Sequence, residues 1–490
     1  MKNLCSLLVA VVGLGFSSLV LHAQPPFRVT VDQNPAPGKI YTSTLGKGTL
    51  GPLTSYLVMF DEHGNMLRNQ PCFQQDWHIL DFQLQPNGRL TYGAGPTLGA
   101  GGVTGGKYYV MDTATWSLID SLQASPGYQT DIHELRMFPD GHYALIGVSD
   151  TLMARKDFRP GSTDTTRVHI EGNTVEVFDA NKHSLFLWRG IDHYKVADAD
   201  TTTKQVRLSD KVIDFQHANS IDFDASGNIL ISNRHLCELT LIKYPTGEIL
   251  WRMGGKHNQF TLVGDSIWFS YQHAARFLPN GHITLFDNAD IDSVEGKVGS
   301  FYANSRAVEY EVDPVARTVR LVWQYHHTPE IHSQAMGYVQ RLPNQNTLVS
   351  WGFVQPDSVA FTEVRPDNST AFEMLLSNGT FGYDYCYRAI KVPTIPASVE
   401  QMAEHSGITF SIEPQSSSSL MLQYAMQRGG LVTIAFYDLL ARVQLTPKTN
   451  VAEPSGDHMV VTDISRLPGG AYYCELRVNG ISVFRPFIRQ

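Results

Sequence analysis

Three histidines recur at nearly the same place in related stretches of this chain. They are His133 in DIHELRMFPDGHYALIG (residues 131–147), His217 in QHANSIDFDASGNILISNR (216–234) and His273 in FSYQHAARFLPNGHITLFDN (269–288). His217 and Asn219 are two apart, hence on the same side of a strand, and Arg234 arrives on the returning strand of that hairpin. Imidazole, amide and guanidinium presented together offer donors to an anion. Sulfuryl or phosphoryl transfer needs such a set: a nucleophile to take the group, and cations and donors to hold its oxygens as charge moves. Imidazole suits the nucleophile because it is partly neutral near neutral pH and leaves readily in a second transfer. Arginine suits the clamp because its fork matches a tetrahedral oxyanion and stays charged.

Plainer readings compete. Three convergent imidazoles also make a ligand set for Zn²⁺ or Fe²⁺, although Arg234 beside a dication is repulsive, so no metal is expected. A lone histidine at the start of a β-blade more often serves packing and hydrogen bonding, the reading given to His78 and His332. His142, His282, His326 and His327 follow turns or strand ends and read as solvated surface. Tyr271 reads as core, and Trp251 and Trp323 as packing between strands.

The elements that must position these residues are hairpins. DWHILDFQLQPNGRLTYG (76–93) and HSQAMGYVQRLPNQNTLVSWG (332–352) restate the pattern, and VRPDNSTAFEMLL from Val364 is a weaker sixth copy. Each has an alternating apolar run, a Pro-Asn-Gly-like turn and a second alternating run. Between them lie hairpins of a second kind, such as YLVMFDEHGNMLRNQ, TVEVFDANKHSLFLWR and LTLIKYPTGEILWRMGG. One hairpin of each kind makes a four-stranded blade. The turn glycines Gly88, Gly141, Gly227 and Gly281 recur at a blade-length period with one insertion. Blades closed in a ring protect their edges, and equivalent positions then converge at one end of a central channel.

The chain has 490 residues, 42% hydrophobic and 17% charged, with a net charge of −9 and no long basic run. That balance argues against nucleic acid or an anionic membrane surface as partner. Residues 1–23 read as a cleaved secretory signal, so the expected location is exported: periplasm, cell surface or outside the cell. A lead-in strand region (24–50), a propeller (51–398), a linker with the serine run 416–419 (399–420) and a small C-terminal β-sandwich (421–490) follow, an all-β chain throughout. Cys72, Cys237, Cys386 and Cys474 are widely spaced and no disulfide pairing follows from them. There is no GxxxxGK[ST], so a P-loop enzyme using a nucleotide sulfate donor is unsupported. GAGGVTGG reads as a loop between strands, and the Asp287, Asp290, Asp292 and Glu295 group as a solvated turn out of order for a calcium loop.

The segments DIHELRMFPDGHYALIG, HANSIDFDASGNILISNRH, GEILWRMGG, FSYQHAARFLPNGHITLFDN and NSRAVEYEVD closely resemble bacterial arylsulfate sulfotransferases, which do not use the nucleotide sulfate donor. The resemblance implies a six-bladed β-propeller and a ping-pong transfer from an aryl sulfate ester to a phenol, with no cofactor. It implies that His273 becomes transiently sulfated and that His133, His217, Asn219 and Arg234 bind and neutralise the transferred group. The lead-in is short for the family's N-terminal sandwich, which leaves the oligomeric state open between monomer and homodimer. The last eighty or so residues resemble a type IX secretion sorting domain, through Leu467, Pro468, Gly470 and Tyr472, implying the secretion machinery as a partner. That end departs from the pattern at IEPQ and at Leu440.

Overall fold

A computed structural model describes residues 27–46, 55–72, 77–96, 105–201, 206–289, 304–354, 358–376, 384–393, 407–438, 443–467, 470–479 and 481–489. The signal segment 1–23, residues 99–104 of the GAGGVTGG core, Asp290, Asp292, Glu295, Leu440 and Pro468 lie outside them.

The hairpins form as the alternation predicts. Gly88, Gly141, Gly227 and Gly281 sit at the turns with φ between 78° and 89°. Three of these, Gly88, Gly227 and Gly281, have open space where a Cβ would stand, so backbone conformation rather than crowding selects glycine there. Between residues 27 and 393 the described strands group into six antiparallel-cored sheets of four or five strands. In one, Ala218–Phe223, Ile229–Asn233, Glu238–Ile242 and Ile249–Gly254 follow in chain order. Such a sheet is buried on both faces. Ile231 packs with Ile146, Val175 and Phe215 on one side, while Leu230 and Leu241 pack with Leu285 and Val308 on the other.

The first strands of these sheets are Trp77–Leu84, Gln129–Met137, Ala218–Phe223, His273–Phe277, Tyr338–Arg341 and Asp384–Pro393. Each touches the next, and the last touches the first. That closed circle is a β-propeller, and the six strands line its axis.

The lead-in region closes the ring, as its place before the first blade suggests, but the sixth inner pair is not the one the repeat suggests. Residues 364–376 were expected as a weaker sixth copy of the inner hairpin, but Ser358–Val364 and Thr370–Leu376 are the outer pair of the sheet begun by Tyr338–Arg341. The sixth inner pair is no hairpin: Asp384–Pro393 pairs with Gly38–Gly46 from the other end of the chain. The lead-in strand Phe27–Asp32 adds to Thr370–Leu376, a second closure. Pairing between chain ends carries no local turn signal, so alternation alone does not identify the partner strand.

A second correction concerns the linker. Serines 416–419 form the turn of a hairpin, because Ile408–Ser416 pairs with Ser419–Met426. That hairpin and Gly456–Asp463 form one sheet, and Gly430–Asp438, Val443–Glu453, Gly470–Val478 and Ile481–Arg489 a second. The two bury one core, including Phe410, Leu422, Ile434, Phe436 and Leu476. The sheet pair therefore begins by Ile408 rather than at 421.

Candidate active site

His133, Asn219 and His273 stand at the same place relative to the turn glycines Gly141, Gly227 and Gly281, on three successive inner strands. The His133 and His217 rings meet edge to face at 5.1 Å between centroids. His133 Nδ1 lies 2.6 Å from Asp131 Oδ1. His217 Nδ1 lies 2.5 Å from Asp214 Oδ2, and the same carboxylate accepts the His217 peptide N–H. Val212–Asp214 is a short strand added parallel to Arg167–Phe178, so a sheet edge supplies that aspartate. His217 holds φ at 50°, a left-handed conformation that surrounding structure must enforce.

His273 is built differently. It is 2% exposed. Its Nδ1 meets Asn288 Oδ1 at 2.7 Å, and its Nε2 accepts the peptide N–H of Met336 at 3.1 Å. Asn288 Nδ2 donates to the carbonyls of Ser333 and Met336, at 2.8 and 3.1 Å, which fixes the amide with its oxygen toward the ring. The Nδ1 of His273 therefore carries the proton, and the lone pair is on Nε2. Burial, and then the charge of Arg234, hold this imidazole well below its usual range and keep it neutral.

Arg234 follows the strand Ile229–Asn233 and lies over the Tyr271 ring at 5.0 Å. Its Nη1 meets His235 Nε2 at 2.9 Å, and Nη2 donates to the Gln334 carbonyl at 3.0 Å. Burial pushes His235 down to about 3. Although burial alone would raise Asp214, the charges of His217 and His235 hold it below the usual carboxylate range. Asn219, expected as a group-binding donor, instead gives an N–H to the Gln272 carbonyl at 2.7 Å, and its buried Oδ1 has no hydrogen-bond partner. Its amide thus ties two inner strands together beside the site.

The sixth inner strand supports the site from behind. Tyr387 Oη donates to the His133 carbonyl at 2.9 Å, and Arg388 Nη2 to the same oxygen at 2.7 Å. Arg388 Nη1 reaches Glu134 at 2.9 Å and Asp81 at 3.3 Å, while Arg276 reaches Glu134 at 2.5 Å. Burial raises Asp81 to about 7, whereas the two arginines overcome the burial of Glu134 and keep it ionised. Four inner strands meet in this network.

The structure thus brings His133, His217, His273 and Arg234 into one electrostatic neighbourhood, since the charges of the other three all bear on His273. Sequence reasoning missed Asp131, Asp214, His235, Asn288, Met336, Tyr387 and Arg388. Asn288 and Arg234 occupy equivalent places after their turn glycines, a signal available in the repeat. His327 is buried rather than solvated, bonded to Glu373 at 2.8 Å and to the Pro329 carbonyl. His282 pairs with Glu309 at 2.7 Å, and Asp287 is no solvated turn but a buried partner of Arg306 at 2.9 Å. Asp214, His217 and His235 place ligand-type atoms within 4.8 Å of one another. Both Nδ1 atoms there face Asp214 oxygens as N–H donors and His235 Nε2 faces a guanidinium, an arrangement poor for a cation.

The family model described as Arylsulfotransferase (ASST) matches residues 44–388, which contain every residue of this site. The chain belongs to the arylsulfotransferase family. Membership supports a sulfotransferase enzyme, with a phenolic sulfate as donor and a phenol as acceptor. No curated protein matches the chain. Among solved structures, this arylsulfotransferase is similar to a protein of unknown function from Bacteroides caccae, at 10% identity, TM-score 0.41, covering 73% of this chain and 99% of that one. It is also similar to the Dos1 propeller, at 10% identity, TM-score 0.31, covering 76% and 72%.

Proposed function

We propose that the protein moves a sulfuryl group from an aryl sulfate ester to a phenol by a ping-pong route through His273. The observation that carries this reading is the contrast among the three imidazoles. His273 is backed by an amide and buried, so it keeps a neutral ring with its lone pair on Nε2. His133 and His217 are backed by carboxylates, which orient each ring and stabilise an imidazolium when one forms. In the first half-reaction the Nε2 lone pair attacks sulfur, the S–O bond to the aryl group breaks, and the departing phenolate takes a proton from one of those two rings. In the second, the acceptor phenol returns its proton to that ring and its oxygen attacks sulfur. The N–S bond breaks and the lone pair is restored. Arg234 exchanges its carbonyl partner for sulfuryl oxygens as charge builds on them.

On this reading each of the six sheets is one blade, the chain is exported after loss of residues 1–23, and the C-terminal sheet pair is the sorting-type domain read by a type IX machinery. The test of the central claim is nitrophenolate release from 4-nitrophenyl sulfate with and without added phenol, followed by mass analysis of the rapidly quenched protein. Release that depends on phenol, with a sulfate mass on the peptide holding His273, is expected. Release into water alone, or a mass on another residue, overturns it.

A further inference from the structure

The lone pair that must attack sulfur is the one that accepts the peptide N–H of Met336, so that contact has to break as the group arrives. Residues 333–337 engage the site at every turn. Gln334 gives its carbonyl to Arg234, Ser333 and Met336 give theirs to Asn288, and Met336 points its N–H at His273. The segment is held from behind as well. Ser333 N–H donates to Ser305 Oγ at 2.7 Å, Phe353 N–H to the Ala335 carbonyl at 2.9 Å, and Gly337 N–H to the Tyr387 carbonyl at 3.3 Å. Gly337 lies against Phe286, where a Cβ would come within 2.4 Å of the ring, and Met336 itself holds φ at 66°. A non-glycine residue kept in the left-handed region beside a nucleophile marks a main-chain N–H fixed for a purpose.

We propose that the Met336 peptide N–H is a main-chain donor to the transferred sulfuryl group, held at the nucleophile by the Asn288 side chain. This rests on the reading of His273 as the nucleophile. As the Nε2–S bond forms and the S–O bond breaks, the lone pair becomes a bonding pair and Nε2 ceases to be an acceptor. The nearest acceptors to the displaced N–H are then the sulfuryl oxygens, which carry the developing negative charge. A donor already fixed by Asn288 and by the strand behind it costs little reorganisation at that moment. Asn288 is a positioning residue in this scheme: its oxygen sets the His273 tautomer and its N–H groups hold the two carbonyls that flank the donor.

The test replaces the amide at 336 by an ester, through incorporation of the α-hydroxy analogue of methionine in the full chain. This removes the N–H and leaves side chain and backbone path in place. Loss of one such donor is worth roughly 100- to 1,000-fold in kcat. That loss is expected here for 4-nitrophenyl sulfate with phenol, with little change in KM. Asn288→Ala should lower kcat with KM nearly constant. A faster ester enzyme would show that the N–H only blocks His273, and an unchanged one that it does nothing; either overturns the proposal. Parent protein with no phenol-dependent release would instead remove the transferase reading beneath it.

Discussion

Asn288 Oδ1 stands 2.7 Å from Nδ1 of His273, in the place where His133 and His217 each meet an aspartate. An amide oxygen accepts the ring N–H of His273, while carboxylates face the Nδ1 atoms of His133 and His217. On the proposed route the backing group divides the roles among these three histidines.

On the proposed route His273→Asn removes the lone pair that attacks sulfur, and is expected to abolish transfer while leaving the thermal midpoint within a few degrees. Retained phenol-dependent turnover in that variant would remove the covalent route.

Arg234→Lys replaces a fork that spans His235 and Gln334 with a point charge. A loss of roughly 100-fold in kcat is expected, and a steady-state assay at saturating donor measures it. An unchanged rate would show that the guanidinium is not the clamp.

Arg388 is 1% exposed and serves Glu134, Asp81 and the His133 carbonyl together. Arg388→Ala leaves Asp81 without its guanidinium and Glu134 with Arg276 alone of its two ion-pair partners, and breaking such a buried pair costs about 3–5 kcal/mol. Urea unfolding is expected to show a loss of that size. A loss below about 1 kcal/mol would mean the network does not hold the ring closed.

His235, held near 3 when folded, takes its proton first in the unfolded chain, where histidine titrates at about 6.5. Its contribution to stability is therefore full above about 6.5 and falls by about 1.4 kcal/mol per pH unit as the pH drops toward 3. Asp81 and Glu171, both raised to about 7, run in the opposite direction, so the informative quantity is a difference between variants. Between pH 6.5 and 5, parent protein is expected to lose roughly 2 kcal/mol more than His235→Gln in urea unfolding. Equal losses would show that His235 is not buried as a neutral ring.

Alternation, turn glycines and a histidine repeated at one place in the hairpin made the propeller and three imidazoles legible in the chain itself, because strand period and turn chemistry are local. Arg234 was legible for the same reason, lying on the return strand of the His217 hairpin. The partners that distinguish those imidazoles were not. Asp214 reaches His217 from an added sheet edge, Met336 reaches His273 from the following sheet, and Tyr387 and Arg388 reach His133 from the far end of the chain. The lead-in was legible as a strand closing the ring, but its partner Asp384–Pro393 was hidden likewise, since pairing of distant strands leaves no mark on either one alone. Sequence determined which groups face the channel; only the tertiary structure decided which imidazole has an amide behind it and which a carboxylate, because that choice depends on neighbours brought from other parts of the chain.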